Sequence, residues 1–70
     1  MGVGQKIKNY IDEKGISQAH LSRKTNIPVA KLNLALNGKR RLSFEEYEKI
    51  CWALGVAVGT FLEAKAPAGR

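Results

Sequence analysis

Seventy residues make one small domain, and a chain this short buries only about 60% of its unfolded surface on folding. A single cysteine, Cys51, excludes an internal disulfide and fits a reducing compartment, so close helical packing or dimerisation is expected to supply the stability. The net charge of +6 and pI of about 9.8 favour a polyanionic partner, while the lack of any long apolar run and of a signal peptide predicts a soluble, cytoplasmic protein that does not enter a membrane.

Residues 3–14 carry a helical stripe of Val3, Ile7, Tyr10 and Ile11, with Lys6, Lys8, Asn9, Asp12 and Glu13 turned away from it. Gly15 ends this first helix, and Lys14 suits the negative end of its dipole. Ser17 is the N-cap of a second helix over Gln18 to Lys24, with Ala19 and Leu21 available to the core and Ser22 small enough for a close crossing. Thr25-Asn26-Ile27 breaks that helix, and Asn26 tolerates a left-handed turn. Pro28 suits the first position of a third helix, whose inner face is Leu32, Ala35 and Leu36 and whose end is marked by Gly38. Two short helices joined by so tight a turn form a helix-turn-helix.

The chain continues through a basic loop, Lys39-Arg40-Arg41. Ser43-Phe44-Glu45-Glu46 is a capping box opening a fourth helix, with Phe44, Tyr47, Ile50, Cys51 and Leu54 on its inner face and Gly55 as its stop. A weaker fifth helix is predicted from Val58 to Ala64, because Gly59 and Thr60 are poor helix formers. The resulting division is a domain over residues 1–64 and a frayed, flexible tail over 65–70.

The Ser17 to Gly38 stretch, together with Gly4-Gln5-Lys6-Ile7-Lys8, Lys14-Gly15-Ile16-Ser17-Gln18, Asn37-Gly38-Lys39-Arg40 and Ile50-Cys51-Trp52-Ala53-Leu54-Gly55-Val56, resembles the lambda-repressor-like, Cro/XRE family of DNA-binding domains. The resemblance spans roughly residues 3 to 63. It implies an all-α, compact five-helix domain with helices two and three as the helix-turn-helix and helix three in the major groove of duplex DNA. It also implies sequence-specific DNA binding by a small transcriptional regulator, a repressor that occludes a promoter, acting as a homodimer on half-sites about 34 Å apart.

Transferred by position, the base-facing residues are Val29, Ala30, Asn33 and Leu34. The three apolar side chains suit thymine methyl groups and Asn33 suits adenine, so an A·T preference is expected. The resemblance assigns phosphate contacts to Gln18, supported by Ser17 at the cap, and to Asn37, Lys39, Arg40 and Arg41 beyond helix three; Arg23 and Lys31 are placed to reach a flanking strand. Where the family pairs an arginine in helix one with a glutamate in helix three, this chain has Ile11 and Leu36, which are expected to replace the ion pair by apolar contact.

Other readings stand beside this one. An antitoxin-type protein with this fold binds both DNA and a toxin, and a helix-turn-helix module used only for protein interaction would dock a partner on exposed Val29 and Leu34. Surface membrane binding ranks last, because the apolar stripes are consumed by the core. His20 reads as a surface residue and Cys51 as a small core hydrophobe. Trp52 either joins Val58 and Phe61 in a dimer patch or packs beneath helix five. With no metal-ligand set, no glycine-rich phosphate loop and every glycine given a turn, terminus or tail role, no enzyme activity, cofactor or metal is expected.

Overall fold

A computed structural model describes residues 2–62, and these form four α-helices and one 3₁₀ turn, with no strand among them. Helix α1 spans Val3–Lys14, α2 Gln18–Thr25, α3 Val29–Leu36 and α4 Phe44–Leu54. The predicted fifth helix is instead a single 3₁₀ turn, Val58–Phe61. Gly59 and Thr60 give too little helical preference to extend it. Glu63, Ala64 and the predicted tail over 65–70 lie outside the described residues.

The helix ends follow the capping chemistry. Gly15 and Gly55 adopt the left-handed conformation (φ 72° and 71°) that terminates α1 and α4. The Ser17 hydroxyl accepts the His20 N–H at 3.0 Å. Ser43 and Glu46 complete the capping box reciprocally, at 3.1 and 3.0 Å. Pro28 is one position off its expected place: it is the N-cap of α3 rather than its first helical residue.

One core joins the elements. Ile7 and Ile11 of α1, Leu21 of α2, Ile27 of the turn, Leu32 and Leu36 of α3, Tyr47, Ile50 and Cys51 of α4, and Phe61 of the 3₁₀ turn form a single buried cluster. Each such aliphatic side chain contributes about 1.5–3 kcal/mol by leaving water. Ile11 and Leu36 are both sealed in this cluster, in keeping with the apolar replacement of the family's ion pair. Phe61 meets Tyr10 edge-on at 5.5 Å and Tyr47 at 6.4 Å. The Tyr47 hydroxyl donates to the Val58 carbonyl and accepts the Phe61 N–H, which pins the 3₁₀ turn onto α4. Burial pushes the Tyr47 phenol above its ordinary pKa, so it stays protonated and keeps donating.

Four expectations fail on packing. Ala19 is exposed, so α2 contributes Leu21 and Thr25 to the interior. Phe44 is 63% exposed although its spacing matches the inner stripe of α4. Phe61 is a core residue and cannot share a surface patch with Trp52, which is itself 76% exposed. Gly4 is no ordinary glycine: a Cβ there would fall 2.1 Å from the Ala35 carbonyl oxygen, so α1 reaches the end of α3 only because that residue lacks a side chain.

Candidate nucleic-acid interface

The turn before α3 is closed by one backbone bond and two side chains. Asn26 takes the left-handed conformation (φ 63°), and its N–H reaches the Ser22 carbonyl at 2.8 Å. Ser22 donates its hydroxyl to the Ile27 carbonyl at 2.6 Å. Thr25, 3% exposed, donates to the Leu21 carbonyl at 2.8 Å and accepts the Ile27 N–H at 3.3 Å. Both backbone polar groups of Ile27 are thereby satisfied, which lets its side chain enter the core and fixes where Pro28 starts α3. The role of Thr25 was not anticipated; its signal is a threonine four residues after Leu21 and two before a buried apolar residue.

Helix α3 divides cleanly. Leu32, Ala35 and Leu36 are buried, whereas Val29, Ala30, Lys31, Asn33 and Leu34 are exposed. Val29, Ala30, Asn33 and Leu34 follow one another at helical spacing along the outer face. Val29 and Leu34 keep 46% and 43% of their surface in solvent. Asn37 donates its side-chain amide to the Asn33 carboxamide oxygen at 3.3 Å. That bond orients Asn33 and leaves its own amide group and the second lone pair of its oxygen for a further partner.

Charge is distributed unevenly along the chain. The stretch from Lys14 to Phe44 carries seven of the twelve basic residues and none of the six acidic ones. Ser17, Arg23, Lys31, Asn37, Lys39 and Arg41 are all exposed, and Gln18 is half-buried in the first turn of α2. Arg40, expected among the phosphate contacts, is half-buried and its guanidinium is paired with Glu46. The backbone of this loop is closed onto α3 by the Lys39 N–H, which reaches the Leu34 carbonyl at 2.8 Å.

Beside the loop lies a groove of about 730 Å³, lined by apolar Val3, Leu42, Phe44 and Leu62 and by Arg40 and Arg41. His20 is exposed and Cys51 is buried. Among the described residues no group of three or more His, Cys, Asp or Glu side chains is placed to hold a metal ion, and no helix is long and apolar enough to cross a membrane.

The model of the family of Cro/C1-type HTH DNA-binding domains matches residues 6–67, most of the chain. No curated protein and no solved structure matches it.

Proposed function

Because the chain belongs to the family of Cro/C1-type HTH DNA-binding domains, we propose that it is a small cytoplasmic transcriptional repressor that reads duplex DNA with α3 in the major groove. The observation that carries this reading is the outer face of α3, where Val29, Ala30, Asn33 and Leu34 stand exposed on a helix whose opposite side is buried. Val29, Ala30 and Leu34 meet thymine methyl groups, and Asn33, steadied by Asn37, bonds the adenine edge. Ser17 and Gln18 at the start of α2, with Arg23, Lys31, Asn37, Lys39 and Arg41, grip the flanking phosphates and set the register.

A homodimer reads two half-sites one duplex turn, about 34 Å, apart, and it represses by covering a promoter. The face is poor in side chains that discriminate G·C pairs, so A·T-rich operators are preferred. Selection from a pool of randomised duplexes tests this: the expected result is an A·T-rich motif, and a G·C-rich motif contradicts the base-reading assignment. A second reading, docking of a protein such as a toxin, draws on the exposure of Val29 and Leu34. It predicts that Val29→Ser with Leu34→Ser abolishes a stable protein complex while leaving DNA affinity unchanged.

A further inference from the structure

The three consecutive cations of the α3–α4 loop are not equivalent. Lys39 and Arg41 are exposed, whereas the Arg40 side chain keeps 29% of its surface and Glu46 keeps 21%. The Arg40 Nη2 donates to both carboxylate oxygens of Glu46 at 3.3 Å. Its Nη1 is shut off from solvent and finds no hydrogen-bond partner among the described residues. Guanidinium grips phosphate through two parallel N–H donors presented as a fork. Here one prong is committed to a carboxylate and the other is sealed against the protein.

Glu46 does two jobs at once. Its Oε1 accepts the Ser43 N–H at 3.0 Å, which completes the capping box, and the same carboxylate holds Arg40. The loop is thus tied at both ends. The Lys39 backbone is fastened to α3, and the Arg40 side chain is fastened to the first turn of α4. Arg41, between these ties and Ser43, projects into solvent.

Resting on the DNA-binding reading above, we propose that Arg40 is a positioning residue and not a phosphate ligand. Tied to Glu46, it fixes the loop so that Lys39 and Arg41 face the DNA backbone. Glu46 in turn withholds one positive charge from the interface. The clamp therefore has two working cations where the sequence offers three.

The slope of log K against log salt separates the three cations, because each neutralised phosphate adds about −0.9 to it. The experiment measures fluorescence anisotropy of a labelled 20-base-pair A·T-rich duplex with the full chain over a series of KCl concentrations. Arg41→Gln is expected to flatten the slope by about 0.9. Arg40→Gln is expected to weaken binding at every salt concentration without changing the slope. Glu46→Gln keeps an acceptor for the Ser43 N–H but removes the negative charge that offsets Arg40, and it is expected to steepen the slope by up to about 0.9.

Flattening by Arg40→Gln equal to that of Arg41→Gln overturns the proposal, as does a Glu46→Gln slope identical to that of the wild type. If Arg40→Gln fails to fold by circular dichroism, the Glu46→Gln slope decides alone. A flat wild-type slope removes the DNA reading and the proposal with it, whereas a steep wild-type slope flattened by Arg40→Gln removes the proposal only.

Discussion

The two connections that flank α3 are held by different forces. Ahead of the helix, Thr25 to Pro28 is closed by uncharged hydrogen bonds from Ser22 and Thr25, largely out of contact with water. Behind it, Asn37 to Ser43 is held by a backbone bond at Lys39 and a partly exposed ion pair between Arg40 and Glu46. Salt screens the second and leaves the first alone. The front connection therefore fixes the angle at which α3 leaves the body, and the rear one sets how much positive charge stands beside it.

The largest effect is expected where the last turn of α3 meets α1. Gly4→Ala drives a methyl group into the Ala35 carbonyl, and overpacking against backbone at this point is expected to cost about 3 kcal/mol in urea unfolding. A loss below about 1 kcal/mol would mean that α1 slides aside and that its docking does not fix the end of α3. At the front, Thr25→Val keeps the shape but strips two hydrogen bonds and leaves the Ile27 N–H unsatisfied. The expected cost is about 2 kcal/mol, equal at low and high salt. If that loss shrinks markedly in high salt, the contrast between the two connections is misdrawn.

Asn26→Ala asks an alanine to hold a left-handed backbone and is expected to lose about 1 kcal/mol, while Asn26→Gly stays within a few tenths of the wild type. The smallest change belongs to Glu46→Gln, less than about 1 kcal/mol at neutral pH, since a partly exposed pair contributes little net energy. Its signature is in pH. The Ser43 N–H holds the Glu46 carboxyl below its ordinary value of 4.5, against the opposing effect of burial and with further help from Arg40. A depressed folded-state pKa stabilises the fold above 4.5, and that stabilisation is lost as pH falls through the folded value. Thermal melting of the wild type should fall over that acid window, with a shallower fall for Glu46→Gln.

Much of this architecture is legible in the sequence. Ser17, Gly15, Asn26, Ser43 and Gly55 act through their immediate neighbours, so their caps and turns follow from residue type and spacing. The division of α3 was equally plain, because Leu32, Ala35 and Leu36 recur at helical period and the intervening residues must then face outward. What escaped depends on elements distant in sequence. Gly4 reads as an ordinary glycine near the chain terminus until Ala35 lies against it. Phe44 fits the apolar stripe of α4 by spacing, yet it stays 63% exposed at the first position of that helix. Arg40 has the same chemistry as Arg41, and its separate fate is decided by Glu46 six residues on, already engaged in a cap.

The most direct test of the account is the affinity of the wild type and of Asn33→Ala for matched A·T-rich and G·C-rich duplexes at two salt concentrations. The wild type should bind the A·T-rich duplex more tightly and weaken steeply as salt rises. Asn33→Ala should lose most of that preference, about 1–3 kcal/mol, while keeping the same salt dependence. Equal affinity for both duplexes, or a preference that survives the loss of Asn33, would contradict the assignment of the outer face of α3 to base reading.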